Sequence, residues 1–478
     1  MGNWIYIDWG MNMDLLRLSK FSPDEILAGS FGIEWESLRA KKNGQLSLTP
    51  HPAVFGDKLK NPLVTTDFSE SQIEIITPPF RTIDEAFDTF SLLSDLVNDS
   101  IPDDEYLWFQ SIPCILPDDE NIPIAQYSKE GADSHEYRLY LAKKYGLKKQ
   151  MISGVHFNFS FTDDFLRKLN KIYAPELSFQ EFRNEVYLKI ARNYLRHCWL
   201  IIYLTGCSVS CHKTFTNDCL ELMDGEDGYG SYYSTNGPSF RNASCGYKNL
   251  KELYPSYESV DGFVSDVSGF IENGDISGAR ELYTQVRLKP KDPKDLLNSL
   301  KNDGIQYIEI RTLDINPFYK CGLVRHDMHF LQLFLIYMMI KSESDYESWQ
   351  EEAFLNEENT AERAYDDSMR LIKDGQEVTL KQWAGEIINE MHGMCEVLGI
   401  GDPATLNLML KRVSNPELTY GKRFLELVKK NGFIKANTLI SKNNKKTSIN
   451  SLKNINPNKS DELKKYLNLA FVENCCDV

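Results

Sequence analysis

Residues 31–36 read Phe-Gly-Ile-Glu-Trp-Glu, and apolar and acidic side chains alternate along them. Residues two apart in a β-strand point to the same face of the sheet. Glu34 and Glu36 therefore share one face, while Ile33 and Trp35 share the other. The pattern predicts a strand with an apolar face against the core and an acidic face turned away from it.

Three other stretches repeat this alternation, namely residues 72–76, 155–159 and 307–311. Each has an apolar face and a face that carries acids, a histidine or an arginine. If the strands belong to one sheet, their polar faces line a common cavity. Carboxylates crowded there repel one another unless cations lie between them, and hard oxygen ligands suit magnesium or manganese. The alternative is an ordinary half-solvated sheet whose acids face water.

The helical signals do not alternate regularly with these strands. Thr82-Ile83-Asp84-Glu85 is a capping-box pattern and predicts a helix start. Residues 178–204, 327–342 and 378–398 have helical patterning. Because strands and helices are not in strict alternation, the predicted fold class is α+β rather than doubly wound α/β.

Length and composition predict two parts. The chain has 478 residues, and a single core stops growing near roughly 250–300 residues. We expect a main body over residues 1–428 and a Lys- and Asn-rich C-terminal extension over 429–478. Within the extension we expect a mobile connection or a peripheral lobe at 430–460 and a short helix near 460–471. Residues 222–246 are rich in Gly, Ser, Tyr and Asp, which predicts a long surface loop.

The charge and cysteine content exclude several classes of function. The formal net charge is −16, so we expect neither nucleic acid nor an anionic membrane as a partner. No segment approaches the roughly 20 apolar residues of a membrane span, and the start of the sequence lacks the basic region of a signal peptide. The ten cysteines are scattered in a chain too large to need disulfides. We therefore expect reduced thiols and a cytoplasmic location, with no obligatory protein partner.

A colinear series of segments resembles a known family. The segments are residues 31–39, 51–56, 65–78, 111–114, 124–127, 153–160 and 308–318. Their order and composition are similar to those of the bacterial-type glutamate–cysteine ligases, also called γ-glutamylcysteine synthetases. The resemblance covers about residues 30–320 and includes the Gly-Val-His-Phe-Asn-Phe stretch at 154–159.

The resemblance implies a fold and a reaction. The fold would be a curved, mostly antiparallel sheet that forms a funnel-shaped active site backed by helices, as in glutamine synthetase, with residues 1–428 as the catalytic body. The reaction would use ATP to phosphorylate the γ-carboxylate of L-glutamate, after which the amine of L-cysteine displaces phosphate. The product would be γ-glutamylcysteine, in the first step of glutathione biosynthesis. Mg²⁺ or Mn²⁺, as more than one ion, would be the cofactor.

The resemblance also implies roles for individual residues. The metal-binding positions are Glu34, Glu36, Asp67, Glu74, His156 and Glu309. Arg311 and Glu309 would be catalytic, with Arg311 facing the transferred phosphoryl group. Gln150 and Asn158 match positions that contact glutamate. The acceptor positions are Arg241, Tyr247 and Tyr283 for the carboxylate, and Tyr137 and Leu141 for the walls of the thiol pocket.

Two other functions stay open at this stage. The chain could be a γ-glutamyl ligase that uses another small amine in a specialised pathway. It could also be a non-catalytic relative that binds nucleotide or metal, although such a role would not need every metal position together with Arg311.

Overall fold

The computed structural model describes residues 11–454, and the chain within them is mixed α+β, as predicted. The strands are β1 (Gly29–Lys41), β2 (Val64–Thr66), β3 (Gln72–Ile76), β4 (Glu105–Leu107), β5 (Val155–Phe161), β6 (Ser210–His212), β7 (Gly225–Glu226), β8 (Ser231–Tyr233), β9 (Val286–Lys289), β10 (Tyr307–Leu313), β11 (Leu371–Lys373) and β12 (Gln376–Val378).

The helices enclose these strands. They are α1 (Met11–Leu18), α2 (Pro23–Leu27), α3 (Ile83–Ser100), α4 (Ala132–Tyr145), α5 (Asp163–Tyr173), α6 (Phe179–Thr205), α7 (Asn217–Glu221), α8 (Val260–Glu272), α9 (Leu296–Asp303), α10 (Arg325–Ile340), α11 (Trp349–Arg363), α12 (Leu380–Leu398), α13 (Pro403–Ser414), α14 (Tyr420–Asn431) and α15 (Phe433–Lys453). Across residues 11–454, no helix combines the length and the apolar character needed to cross a membrane.

A seven-stranded sheet forms the centre of the fold. Its strand order is β2-β3-β1-β5-β10-β9, and β4 also pairs with β1. Each of these pairings is antiparallel. The prediction of a mostly antiparallel sheet is therefore confirmed, and the sheet is open at β2 and β9.

The register of this sheet aligns the polar residues of neighbouring strands. Glu34 on β1 lies opposite His156 on β5, and Glu36 lies opposite Glu74 on β3. Glu309 on β10 is the cross-strand neighbour of Asn158. Antiparallel pairing thus gathers the alternating polar residues of four strands on one face.

The other face of the sheet packs on helices. Trp35 is fully buried, and its ring lies 5.9 Å from that of Phe90 on α3. Further along the sheet, Tyr194 on α6 shares a 2.7 Å hydrogen bond with Thr312 on β10. Helices on this side shield the apolar residues, which leaves the opposite face to form a cavity.

Two helices begin at capping boxes. Thr82 accepts from the backbone N–H of Glu85, and the Glu85 carboxylate accepts from the backbone N–H of Thr82. The predicted start of α3 is thereby confirmed. Ser178 and Glu181 form the same reciprocal pair at the start of α6, because serine and glutamate satisfy N–H groups that the helix itself leaves without partners.

The segment predicted as a mobile connection or a peripheral lobe is largely helical and packs on the main sheet and α3, so it is not a mobile connection. α15 spans Phe433–Lys453 and lies against α3 and β4. Lys445 is buried, and its Nζ donates to the carbonyl oxygens of Ile101, Pro102 and Glu105 at 3.2, 2.8 and 3.0 Å. A lysine in this position neutralises the partial negative charge at the C-terminal end of α3.

Composition missed α15 because its buried stripe is not apolar. The stripe consists of Phe433, Ala436, Asn437, Ser441, Lys445 and Ser448, which follow helical spacing but carry mostly small or polar side chains. The division of the chain at residue 429 stays a prediction. The short helix predicted near 460–471 lies outside the described residues.

The predicted loop at 222–246 contains ordered strand structure. β7 and β8 pair with each other, and β8 also pairs with β6. Within this hairpin, Asp227 accepts a 3.0 Å hydrogen bond from the backbone N–H of Phe433. The carboxylate therefore serves the first turn of α15, whose own N-cap is Gly432 and has no side chain to do so.

Candidate active site

A cavity of about 230 Å³ opens on the polar face of the sheet. The predicted metal-binding residues Glu34, Glu36, Asp67, Glu74, His156 and Glu309 all line it, together with Arg311. Their strands come from widely separated parts of the chain, and pairing in one sheet brings them together. The structure thus places the predicted acids and the predicted catalytic arginine in one space.

Glu34, His156 and Glu309 stand close enough to bind one ion. One ligand atom from each lies within 4.8 Å of the other two. Nδ1 of His156 is 3.3 Å from Oε2 of Glu34 and 3.7 Å from Oε1 of Glu309. Two carboxylates and an imidazole form a donor set that divalent cations accept.

The protonation state of His156 is the one that a metal-binding histidine needs. Burial, reinforced by the positive charge of Arg311, lowers the pKa of His156 to about 4. The ring is therefore neutral near pH 7, which is the form that binds metals. Its Nε2 is buried and has no hydrogen-bond partner within residues 11–454, so the ring retains a nitrogen that a ligand can use.

Burial and neighbouring carboxylates disfavour the charged forms of Glu36 and Glu74 in this cavity. Burial and the neighbouring carboxylate of Asp67 raise the pKa of Glu36 to about 8. Burial, with Asp67 and then Glu34, raises the pKa of Glu74 well above its usual range. Both shifts express the cost of placing carboxylates together in a poorly solvated space, and a divalent cation between them would relieve it.

Glu309 differs because cations surround it. Burial alone would raise its pKa, but Arg311, Lys289 and Arg287 hold the pKa of Glu309 well below its usual range. Lys289 Nζ and Arg311 Nη1 both form ion pairs with its carboxylate. One acid thus pairs with the predicted catalytic arginine and with a lysine in the same cavity.

The sequence analysis missed three cations that line this cavity, namely Arg280, Arg287 and Lys289. Two of them carried a signal, because β9 alternates Val286 and Leu288, which are buried, with Arg287 and Lys289. The rule that identified the other strands would have found them. Arg280 lies in a short turn, where no periodicity marks it, and its guanidinium lies 3.4 Å above the ring of Tyr137.

The predicted acceptor residues line the same cavity. They are Tyr137, Leu141, Arg241, Tyr247 and Tyr283. The rings of Tyr247 and Tyr283 are 4.3 Å apart, and their hydroxyl oxygens lie within hydrogen-bond distance at 3.1 Å. Arg241 is buried and donates from Nη1 to the carbonyl oxygen of Arg311 at 2.6 Å. The arginine predicted to bind the acceptor and the one predicted to face the phosphoryl group are thus adjacent.

The two predicted glutamate-binding residues are placed differently. Gln150 is buried and accepts from the hydroxyl of Tyr247 at 3.3 Å, while Asn158 donates to Oε1 of Glu34 at 2.8 Å. Within the described part of the chain, neither is among the residues that line the cavity. Each contacts a residue that does line it.

The sequence profile of the glutamate–cysteine ligase family matches residues 16–276 and 276–362, which include every residue of this cavity. The chain belongs to the glutamate–cysteine ligase family. Similar curated proteins include the glutathione biosynthesis bifunctional protein of Clostridium perfringens, which is 37% identical over 444 residues. Another from Listeria monocytogenes is 36% identical over 416 residues.

Solved structures of family members have the same fold. A glutamate–cysteine ligase from Francisella tularensis, in complex with AMP, superposes with a TM-score of 0.84 at 24% identity and covers 93% of each chain. A bifunctional glutathione synthetase from Pasteurella multocida gives a TM-score of 0.82 at 26% identity, over 96% of this chain and 58% of that one.

The chain spans about half the length of the curated relatives it matches. The aligned region covers 90% of this chain but 56% of the Clostridium perfringens protein. For the Listeria monocytogenes protein the two shares are 86% and 53%.

A second cavity of about 120 Å³ adjoins the ligase cavity. Both are lined by Arg241, Tyr247, Tyr283 and Arg311. The second cavity is more aromatic, and its further lining includes Tyr254, Tyr257, Trp349 and Phe354. A charged group at its wall, Lys248, pairs with Glu357 at 3.1 Å.

One cysteine prediction is wrong in this ligase fold. Cys219 on α7 and Cys245 form a disulfide, with Cα atoms 5.1 Å apart. The prediction of reduced thiols rested on the size of the chain and on the scattered positions of its cysteines. Neither reveals that two cysteines 26 residues apart lie close together in the fold. Cys245 lies between Arg241 and Tyr247 in sequence, so the disulfide anchors the loop that carries these two predicted acceptor residues.

Proposed function

We propose that the chain ligates the γ-carboxylate of L-glutamate to the amine of L-cysteine. ATP would phosphorylate the γ-carboxylate, and the cysteine amine would displace phosphate from the γ-glutamyl phosphate. The products would be γ-glutamylcysteine, ADP and phosphate, in the first step of glutathione biosynthesis. Family membership supports this reaction, and the cytoplasmic location predicted from the sequence stays a prediction.

One observation carries the proposal. Buried carboxylates and the cations Arg311, Lys289 and Arg287 line one cavity with the predicted acceptor residues. Transfer of a phosphoryl group from ATP to a carboxylate brings two anions together, so it needs positive charge at the point of transfer. A cavity that only bound a neutral ligand would have no use for so many buried charges.

The acids and His156 would hold the divalent cations. Glu34, His156 and Glu309 form one set of ligands. Glu36, Asp67 and Glu74 line the same cavity, so we propose that it takes more than one ion, as Mg²⁺ or Mn²⁺. Bound ions would supply neutralisation and alignment of the phosphate oxygens. The chain's own contribution is to hold these carboxylates at fixed positions on a sheet.

Arg311 would face the transferred group. Its Nη1 is fixed by Glu309 and lies 3.5 Å from Nδ1 of His156. A planar guanidinium suits the charge that develops on phosphoryl oxygens. Because Glu309 orients the arginine in advance, little reorganisation is needed at the moment of transfer.

The acceptor would bind through two groups. We assign the cysteine carboxylate to Arg241 with the hydroxyls of Tyr247 and Tyr283, and the thiol side chain to the walls formed by Tyr137 and Leu141. Gln150 and Asn158 would contact glutamate. The structural support for these two roles is indirect: Gln150 and Asn158 do not line the cavity, but they contact Tyr247 and Glu34, which do.

A second candidate is a γ-glutamyl ligase with a different amine acceptor. The adjoining cavity favours it, because its aromatic walls meet the acceptor residues at Arg241, Tyr247 and Tyr283. An acceptor larger than cysteine could extend into that space. Both candidates share the acyl-phosphate step and differ only in the amine.

Hydroxylamine trapping tests the acyl phosphate. With glutamate, ATP and Mg²⁺, hydroxylamine in place of an amino acid should yield the γ-hydroxamate of glutamate with equimolar ADP. Release of AMP and pyrophosphate would point to adenylation and would contradict the proposal. No nucleotide turnover at all, with metal and glutamate bound, would favour the non-catalytic reading.

An acceptor screen then separates the two ligase candidates. Amino acids and amines are compared at equal concentration, with mass detection of the γ-glutamyl product. Cysteine as the best acceptor supports the first candidate. A bulkier amine with a higher kcat/KM than cysteine supports the second.

A further inference from the structure

Gly154 lies at the junction of the acidic cluster and the acceptor residues. Its backbone N–H donates to Oε2 of Glu36 at 3.1 Å, and its carbonyl oxygen accepts from the backbone N–H of Glu36, also at 3.1 Å. On its other side lies the guanidinium of Arg241. One residue thus contacts a predicted metal ligand and the predicted acceptor arginine.

Space, and not backbone conformation, accounts for a glycine here. Gly154 is absent from the glycines with positive φ, so an L-amino acid could adopt its backbone. A Cβ added at this position, however, would lie 2.5 Å from Cζ of Arg241 and closer still to its Nε and Nη2. Contacts under 3.0 Å are essentially never seen for real Cβ atoms.

The backbone around Gly154 cannot move away easily. The backbone N–H of Ser153 donates to the carbonyl oxygen of Ser111 at 3.0 Å. Gln72 donates from Nε2 to the carbonyl oxygen of Ile152 at 3.2 Å and to Oγ of Ser153 at 2.9 Å. These bonds, with the two to Glu36, hold the segment against the sheet. Relief of a clash therefore falls to the arginine side chain.

Arg241 has its own fixed position. Its backbone N–H donates to Oγ of Ser208 at 3.2 Å, and Nη1 donates to the carbonyl oxygen of Arg311 at 2.6 Å. The guanidinium is the far end of a flexible side chain, so it can shift without unfolding the protein. Reaching an ordinary contact of 3.4 Å requires a movement of about 1 Å, which also breaks the alignment with Arg311.

We propose that Gly154 is a positioning residue for the acceptor. Because Gly154 has no side chain, the Arg241 guanidinium can lie against its backbone, and in this position the guanidinium meets the acceptor's carboxylate. This inference rests on the proposed role of Arg241. A misplacement of about 1 Å in such a contact can lower the rate by about 100-fold.

The test is the variant Gly154→Ala. We expect kcat/KM for the acceptor to fall by about 10–100-fold, mainly through KM. The KM for ATP and the affinity for Mn²⁺, measured by calorimetry without substrates, should stay within about twofold, because alanine keeps the N–H that Glu36 accepts. Gly393→Ala is the matched control, since Gly393 is exposed on α12 and a Cβ there meets no atom within 4 Å.

A double-mutant cycle separates this inference from the proposed function. If Gly154 acts through Arg241, Gly154→Ala should change acceptor kcat/KM by less than about twofold when Arg241→Ala is already present. If Gly154→Ala still lowers acceptor kcat/KM by about 10–100-fold when Arg241→Ala is present, the inference is overturned. An Arg241→Ala variant with normal acceptor KM would instead overturn the proposed role of Arg241.

The same variants also show whether a failure of Gly154→Ala to fold comes from its clash with Arg241. Should Gly154→Ala fail to fold, Gly154→Ala with Arg241→Ala, which lacks the clashing guanidinium, should fold again. Failure of both would show that the added methyl clashes elsewhere, and the inference would be wrong. Normal acceptor kinetics in a folded Gly154→Ala variant, with Arg241→Ala impaired, would also overturn it.

Discussion

Glu36 on β1 lies directly opposite Glu74 on β3. Like charges at opposed positions of an antiparallel pair destabilise a sheet, and burial adds to that cost here. The pKa of each carboxyl is raised, so the metal-free fold accommodates the pair by binding protons. A cation bound between the two carboxylates, as proposed above, would relieve this repulsion.

The first prediction concerns stability with and without metal. Glu74→Gln should leave the metal-free protein at least as stable as the wild type, because it removes one member of the opposed pair. Mg²⁺ at 100 times its Kd should stabilise the wild type by about 2.7 kcal/mol, and the variant clearly less. Thermal unfolding in EDTA and in excess Mg²⁺ measures both. An equal Mg²⁺ shift in both proteins would contradict a role for Glu74 in metal binding.

The second prediction concerns catalysis. Glu309→Gln and Glu36→Gln should each abolish ligation and leave the chain folded. Loss of a group that merely supports a metal ligand costs about 10–100-fold, so loss of a ligand should cost more. Activity is measured at saturating Mg²⁺. Glu396→Gln, at an exposed position of α12, is the isosteric control and should keep full activity. Near wild-type turnover in Glu309→Gln or Glu36→Gln would show that the substituted glutamate is not a metal ligand.

The third prediction concerns the acceptor. A pocket discriminates weakly against the change of a single small group, so 2-aminobutyrate should replace cysteine with a loss of about 10–200-fold at most. Cysteamine, which lacks the carboxylate, should react far more slowly because Arg241 would remain an unpaired buried charge. Arg241→Ala should raise the KM for cysteine strongly and that for ATP little.

Exposed Arg81 provides the control for that substitution. Arg81→Ala should leave both KM values unchanged. Cysteamine reacting as well as cysteine in the wild type would favour the second candidate function, since the acceptor's carboxylate would then have no role in recognition.

The fourth prediction concerns acid stability. His197 is buried on α6, and burial, with the charge of Lys341, lowers its pKa from 6.5 to about 3. A lowered histidine pKa means that the unfolded chain binds a proton first, so this contribution is complete above pH 6.5 and is lost as the pH falls toward 3. Between pH 7 and pH 5 the loss is about 2 kcal/mol.

His197→Gln should remove that share of the pH dependence. Its free energy of unfolding, measured by denaturant titration at pH 7 and pH 5, should fall by about 2 kcal/mol less than that of the wild type. The comparison is between slopes, so a lower stability of the variant at pH 7 does not affect it. Parallel pH profiles would show that another group governs acid lability.

The fifth prediction concerns the Cys219–Cys245 disulfide. It closes a separation of 26 residues, for which loop-closure entropy gives about 3.5 kcal/mol of stabilisation. Reduction with dithiothreitol should lower the melting temperature, and it should raise the KM for the acceptor because Cys245 lies between Arg241 and Tyr247. Cys219→Ser should respond to dithiothreitol in neither property. Peptide mapping of alkylated protein, with both cysteines free before reduction, would contradict the disulfide.

The sequence by itself determined which residues share a face of each strand. Side-chain direction in a strand is a local property of the backbone, so alternation placed Glu34 with Glu36 and Glu309 with Arg311 before any tertiary contact was known. The same rule would have found Lys289 on β9. The capping box at Thr82 is equally local, and it marked the start of α3 correctly.

Only the tertiary structure decided how these faces meet. Register between distant strands opposes Glu36 to Glu74, and chain packing brings Arg241 onto Gly154 and beside Arg311. Neither follows from local pattern, because each depends on which segments pair across long separations. The burial of α15 through a stripe of small and polar residues, and the meeting of Cys219 with Cys245, have the same origin: they depend on a complementary surface that another part of the chain provides.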